Sequence, residues 1–517
     1  IAPRRRRYPR MKADAMIERF PQYFERSASS RRDKVALVVD GRPATYGELL
    51  DVMSTIADTL HRLGIPAGAR VALYSETSVH AVAAAFGILK AGCVLACIRH
   101  TIDTAELERH IADCGASALV ASRSTSPRVA SRHRAVTIDA TRGDLSKYVV
   151  CFATDGASEA DNPCMDDAAT IFYTSGSTGD SKGVLVTHRN MIAAFRSVSG
   201  YLANSERDIV LSFSPGLSSD YGFYNTVMPL LFGGRAVVET ALPASAAAIV
   251  DLIERHGVTG LHVFPPALFR LCESGDLPAS RLQSLRYVST SGQALPGNYI
   301  RLIRRALPAV LIYCNYGSTE CKRIAYLPPA ELDRRIGSVG KAIPGIRTYL
   351  VGHDNALVVQ PWQVGELAVA GDLLMEKYWG RESDTARVIR TGCFGELRVF
   401  MTGDLFAMDE DGFLFFQCRK GDLFDRDGVP VNPRAVERVL LDHESVAEAL
   451  VVPVSRSDGA RVPKAYVVPA ATSAANAIEL LDHCRRHLDS ASVPASIDFL
   501  RALPRSFGGK VSAQGLN

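Results

Sequence analysis

Charge of one sign is scarce in this chain. Its 517 residues carry 59 basic against 55 acidic side chains, a formal net charge of +4. A balance this close gives no electrostatic case for a nucleic-acid or membrane partner. The one basic cluster runs from Arg4 to Arg7, with Arg10 and Lys12 nearby; a disordered tail over residues 1–15 is the expectation there. Long apolar runs are missing too. The longest, Ala81 to Cys97, is interrupted by Gly87, Lys90 and Gly92, too short and too broken to span a bilayer. No apolar segment follows the basic start, so no secretory leader is expected and the reading is cytoplasmic. Cysteine pairs are also lacking. Eleven cysteines lie scattered, and although Cys93 and Cys97 are four apart, no second pair or nearby histidine completes a zinc pattern. Buried thiols in a reducing compartment are the expectation. No internal repeat occurs.

What is present is a composition fit for large cores: 47% hydrophobic and 22% charged. The length exceeds one core, so more than one domain is expected. The first part alternates helix and strand. Thr45 and Glu48 have capping-box spacing, Leu49, Val52, Met53, Ile56, Leu60 and Leu63 follow a helical period, and Gly64 suits the stop. Val71–Tyr74 reads as a buried strand, His80–Leu89 as a helix, and Val94–Cys97 as a strand. A helix opened by Asp103 and Glu106 ends near Gly115, before Leu119-Val-Ala. Such alternation predicts an α/β fold of helix-covered parallel sheets. Between Leu350 and Met375 the pattern turns strand-rich, predicting a β subdomain. After Gly421 a compact α+β unit is expected, with helices at Pro433–Leu441 and Ala477–Leu488 and strands near Ala449–Val454 and Lys464–Val468. The expected division is a core domain over 16–417, a hinge at 418–421 and a small mobile lid domain over 422–517.

The chemistry concentrates in short segments. Tyr173-Thr-Ser-Gly-Ser-Thr-Gly-Asp-Ser-Lys-Gly183 follows the apolar strand Ala169-Thr-Ile-Phe172. Backbone N–H groups of Gly176 and Gly179, with the hydroxyls of Thr174, Ser175, Ser177 and Thr178, can cradle phosphate, and Lys182 adds a cation. It is not a P-loop, because Ser181 precedes the lysine and Gly183 follows it. The segment resembles the signature of the adenylate-forming superfamily of acyl-CoA ligases, peptide-synthetase adenylation domains and free-standing relatives. The departure is Ser181, where that family usually has proline.

Further segments carry the resemblance over about residues 20 to 516. Asn315-Tyr-Gly-Ser-Thr-Glu320 is similar to the second ATP motif. The resemblance implies that Asn315 and Gly317 belong to the nucleotide site, that Tyr316 packs on adenine, Thr319 bonds the α-phosphate and Glu320 binds Mg²⁺. A carboxylate is a suitable hard ligand for that ion. Met401-Thr-Gly-Asp404 resembles the segment whose Asp holds the ribose hydroxyls. Cys418-Arg-Lys-Gly-Asp422 resembles the hinge motif, with Arg419 reaching the ribose. Pro504-Arg-Ser-Phe-Gly-Gly-Lys510 resembles the C-terminal motif whose lysine steadies charge on the α-phosphate. Gly365-Glu-Leu, Gly371 and Tyr378-Trp379 match the family's β-rich stretch and read as scaffold.

The resemblance implies ATP-dependent adenylation of a carboxylic acid, releasing pyrophosphate, then transfer to the thiol of coenzyme A or of a separate phosphopantetheinyl carrier protein. A carboxylate is already a nucleophile near neutral pH, so positioning and charge neutralisation carry the reaction. Residues 214–223 and Ser289-Thr-Ser-Gly-Gln293 fall where the family lines its acid pocket, which places Asp220, Tyr221, Ser291 and Gly292 there. Asp220 lies near the Asp with which amino-acid-activating relatives hold the α-ammonium; the alternative is a turn residue capping a helix from Tyr221. Asp425, Pro430 and Ala435 depart from the family's usual Lys, Arg and Glu, while Gly428 and Glu437 remain, so thiol transfer is expected to be altered. An amino or small acid with a carrier acceptor, a fatty or aryl acid with coenzyme A, and a catalytically inactive nucleotide-binding relative stay open as readings.

Overall fold

A computed structural model describes residues 18–122, 125, 134–137, 148–152, 167–174, 181–213, 216–272, 277–456, 460–470, 475–504, 511 and 516, with backbone alone for 134–137 and 148–152. The expected tail over 1–15 lies outside them.

Two large sheets form the N-terminal body. The first has nine strands, and six of its neighbours are parallel: Val35–Val39, Arg235–Glu239, Ile209–Phe213, Gly260–Val263, Tyr287–Thr290 and Leu311–Tyr316. The second has eight, with Ala118–Ser122, Arg70–Tyr74, Val94–Ile98 and Ala168–Thr174 parallel at its centre. Parallel strands are buried on both faces and read as continuous apolar runs; Val94–Ile98 is buried at all five positions. The apolar run at Ala81 becomes the helix Val79–Lys90, buried from Ala81 to Leu89. It packs on the helix Tyr46–Arg62. Gly87 permits the approach: a Cβ there would meet Ile56 Cβ at 2.7 Å.

The local signals behave as chemistry dictates. Thr45 Oγ1 accepts from Glu48 N while Glu48 accepts in return from Thr45 N, closing the capping box of that helix. Asp103 caps Thr104–Cys114, and Gly115 ends it with φ 59°. At residue 220 the expectation of a cap is corrected. Ser219 is the cap, its Oγ accepting from Gly222 N at 3.0 Å, and Asp220 opens the helix Asp220–Leu231. The shorter hydroxyl takes the capping bond, which frees the carboxylate for another contact.

The β subdomain is a five-stranded antiparallel sheet built from Ile346–Val351, Gly365–Gly371, Arg398–Met408, Ile389–Thr391 and Leu414–Arg419. Its last strand runs through Cys418 and Arg419 into the span expected for the hinge. Beyond it, helices Pro433–Leu441 and Ala477–His487 pack on Val446–Ser455, Arg461–Pro469 and Ser496–Phe499. Val436, Leu440, Val451, Ala465, Val467, Leu480, Cys484 and Ile497 give this unit its own core, the mark of a separate domain. Among the described residues no helix is long and apolar enough to cross a membrane. Seven of the nine described cysteines are buried.

Candidate active site

In an open α/β sheet, loops at the carboxyl ends of adjacent strands surround a crevice. The strands ending at Phe213, Val263, Thr290 and Tyr316 are neighbours in the first sheet, and the expected site residues sit just past those ends. The turn after Tyr316 is tight: a Cβ on Gly317 would lie 2.2 Å from Lys322 O, so glycine lets the chain fold back. The return strand Ala325–Leu327 pairs antiparallel with Leu311–Tyr316, and the turn between them presents Thr319 and Glu320.

Contacts link that turn to three other elements. Thr319 Oγ1 donates to Asp220 Oδ1 at 3.1 Å. Tyr378 OH donates to Glu320 Oε1 at 2.8 Å, and burial, then the Glu320 charge, raises the Tyr378 pKa. Tyr316 OH donates to Asp404 Oδ2, and Arg419 Nε lies 3.2 Å from Asp404 Oδ1. Lys182 Nζ sits 5.1 Å from the Tyr378 ring centroid and 3.1 Å from Asp384. Lys182, Thr319, Glu320, Tyr316, Asp404 and Arg419, drawn from 238 positions of sequence, are thus joined through Tyr378 and the single turn at Gly317.

Three placements differ from the sequence reading. Tyr378, read as scaffold, holds Glu320. Asn315 is buried, its Nδ2 donating to Ser289 Oγ and Thr290 O at 3.0 and 2.9 Å while its Oδ1 accepts from Tyr201 OH, so its amide ties strands together. Ser181 Oγ donates to Thr174 O at 2.7 Å, a bond across the base of the Gly-rich loop that proline could not make. Ser291 and Gly292 follow the strand Tyr287–Thr290 directly, Gly292 with φ 93°. Ser175, Gly176, Ser177, Thr178, Gly179 and Lys510 lie outside the described residues.

Sequence reasoning missed Lys322 and Arg323, because no motif reaches them. The Lys322 ammonium is buried over the rings of Phe172 and Tyr224, 4.3 and 4.9 Å from their centroids, with no hydrogen-bond partner among the described residues. Burial lowers its pKa to about 8, and Asp220, then Glu320, pull the other way. Arg323 is 8% exposed, and its Nη1 is likewise without a partner among the described residues. Beside it Tyr221 stacks on Phe264, ring centroids 4.2 Å apart, and His262 bridges Asn225 Oδ1 at 3.0 Å and Tyr287 OH at 2.9 Å. Burial, then the Arg323 charge, lowers the His262 pKa to about 3, so the imidazole is neutral.

Fit to a metal follows from the donors. No trio of His, Cys, Asp or Glu among the described residues can hold an ion by itself. Glu320 offers a single half-buried carboxylate, with one oxygen bonded by Tyr378. A lone carboxylate suits Mg²⁺ that keeps its waters and shares phosphate oxygens, so the residues fit Mg²⁺ arriving with a nucleotide.

This crevice, with a lone carboxylate, the lysine that closes the Gly-rich loop and a second domain after Arg419, defines a nucleotide-dependent, acid-activating class of enzyme. The chain matches the AMP-binding enzyme family over residues 24–379 and the AMP-binding enzyme C-terminal domain over 435–510. It belongs to the AMP-binding, adenylate-forming enzymes, and its activity class is AMP-forming acid–thiol ligase. It is 28% identical to the long-chain-fatty-acid–CoA ligase of Salmonella typhimurium, over 95% of this chain and 92% of that one. It is 28% identical to the 4-coumarate–CoA ligase-like 4 protein of Oryza sativa, over 95% of this chain and 91% of that one. The solved structure of o-succinylbenzoate coenzyme A synthetase from Bacillus subtilis, with ATP and magnesium ion, superposes at a TM-score of 0.77 with 26% identity, over 95% of this chain and 98% of that one.

Proposed function

We propose that this chain condenses a carboxylic acid with ATP to an acyl-adenylate and pyrophosphate, then passes the acyl group to coenzyme A. The observation that carries the reading is the joining of Thr319, Glu320, Tyr316, Asp404 and Lys182 around one turn. In the proposed division of labour, Tyr316 and Gly317 flank adenine. Asp404 and Arg419 hold the ribose. Thr319, Lys182 and the loop Thr174–Gly179 hold phosphates. Glu320 would hold Mg²⁺, which when bound neutralises phosphate charge. The acid's carboxylate attacks the α-phosphorus, the bond to pyrophosphate breaks, and Lys510 steadies the charge on the phosphoryl oxygens.

Coenzyme A is favoured over a carrier protein because relatives named as coenzyme A ligases align over 95% of the chain. The acid favoured is one without an amine. Asp220 accepts from Thr319 and faces the Lys322 ammonium, so the chain itself supplies the countercharge that an amino acid would otherwise bring. The inactive-relative reading gains nothing from the site, since Glu320, Asp404 and Lys182 are all in place around the turn. The test is ATP–pyrophosphate exchange against amino, aryl, fatty and dicarboxylic acids. Active acids are then offered coenzyme A and a phosphopantetheinylated carrier, with thioesters read by mass spectrometry. Exchange with acids lacking an amine, and thioester on coenzyme A, is the expected result. Exchange supported only by amino acids, or thioester only on the carrier, overturns this assignment.

A further inference from the structure

Past the reactive turn, toward the ends of the strands Ile209–Phe213 and Gly260–Val263, the buried groups change character. Arg323 Nη1, Tyr221 OH, Asn225 Nδ2, Thr290 Oγ1 and Ser212 Oγ are buried with no hydrogen-bond partner among the described residues. They come from four elements that meet beside the site: the helix Asp220–Leu231, the strands ending at Phe213 and Thr290, and the return from the Gly317 turn. The Arg323 charge is felt at Tyr221, Tyr201 and His262, which fixes it in this group. His262 is saturated by Asn225 and Tyr287 and stays neutral, so it offers the guanidinium no anion. The carboxylates of neighbouring elements are committed: Asp208 to Arg286 at 3.0 Å, Asp404 to Arg419, and Asp220 to Thr319.

A guanidinium this buried is ordinarily paired, because desolvation without a partner is costly. Donors predominate around it, and Arg323 itself can grip a planar carboxylate through two N–H groups. An alkyl chain would seal those donors from water and give nothing back. We propose that the acid activated here is a dicarboxylic acid, its far carboxylate held by Arg323 with help from Tyr221 and Asn225 while its near carboxylate meets the nucleotide. This rests on the adenylation reading above and selects among its acids.

The experiment is pyrophosphate exchange with the full chain on matched pairs: butyrate and succinate, pentanoate and glutarate, hexanoate and adipate, benzoate and the phthalate isomers, with palmitate as the long-chain probe. At least one diacid should exceed its matched monoacid tenfold or more in kcat/KM. Arg323→Met should lower that ratio at least thirtyfold, mainly through the diacid's KM, and Arg323→Lys should restore part of it. The ratio is taken within one preparation, so a partly folded variant does not distort it. Monoacids used as well as or better than their partners would overturn the inference while leaving adenylation standing. So would a ratio that Arg323→Met changes less than twofold. Silence from every acid would overturn the adenylation reading and this inference with it.

Discussion

The two ends of the site are built on opposite terms. At the nucleotide end the polar groups are already matched within the chain: Tyr316 with Asp404, Arg419 with Asp404, Tyr378 with Glu320, Lys182 with Asp384. At the acyl end Arg323 Nη1, Tyr221 OH, Asn225 Nδ2 and the Lys322 ammonium are buried without hydrogen-bond partners among the described residues. Matched groups hold a shape before the ligand arrives, which suits a nucleotide common to a whole family. Unmatched buried donors cost stability, about 1–3 kcal/mol each, and a ligand that supplies the missing acceptors recovers that cost. The contrast separates the part of the site that sets the reaction from the part that sets the substrate.

The sharpest way to break this comparison is Glu320→Gln. If the nucleotide end sets the reaction, loss of the carboxylate should lower pyrophosphate exchange by roughly 10²–10³-fold, the scale of losing one charge-stabilising group. The fold should survive, because an amide oxygen can still accept from Tyr378 OH. Exchange assays beside a thermal melt check both halves. Full activity would mean that Glu320 is only a brace for Tyr378.

Asp404→Asn comes next. The amide keeps one acceptor for Tyr316 but removes the charge facing Arg419. A charge-assisted hydrogen bond is worth about 1.5–3 kcal/mol, so the KM for ATP should rise roughly 10–100-fold. The KM for the acid should stay within about threefold, since the acid is bound at the other end. Initial-rate kinetics with each substrate varied in turn tells the two apart.

The contrast also explains what could be read from the sequence. Cap chemistry is local, so Thr45 with Glu48, Asp103 with Gly115, and the helix Pro433–Leu441 were all legible. The motif residues were legible because a shared nucleotide imposes a shared pattern. Tyr378 was not: its bond to Glu320 crosses 58 positions, and nothing local marks a tyrosine at the end of a β-rich stretch. Arg323 and Lys322 were hidden for a different reason. A residue that serves one substrate has no pattern to repeat, and a basic side chain in sequence reads as surface. Asp220 was placed correctly and given the wrong local duty, because Ser219 competes for the same cap and its shorter side chain closes the better bond.

Lys322→Met tests the cost of the unmatched end. Unfolded lysine titrates near 10.4, whereas burial lowers Lys322 to about 8. Between those values the unfolded chain binds a proton that the folded chain does not, so the lysine's contribution to stability rises with pH across that window. Below about pH 8 its penalty is fully present; above about 10.5 it is gone. The substitution should therefore stabilise the chain by about 1–2 kcal/mol at pH 7, somewhat less than the pKa shift alone implies because two cation–π contacts are lost with it. Urea unfolding of both proteins at pH 7, 9 and 10.5 should show the gain shrinking toward zero.

The smallest effect belongs to Asp384→Asn, and its smallness is informative. The pair with Lys182 spans 3.1 Å between side chains that are 30% and 18% exposed, so water screens it and its stability contribution should stay below about 1 kcal/mol. Lys182 also rests near the Tyr378 ring, and that contact survives the change. If Lys182 serves phosphate, Asp384 competes with the ligand for the same cation. Removing the competitor should lower the KM for ATP about two- to threefold at low ionic strength, with the advantage fading as salt screens both attractions. A rise in KM instead would mean that Asp384 positions the lysine rather than rivals the nucleotide, and matching at this end would then extend from the resting site to the bound one.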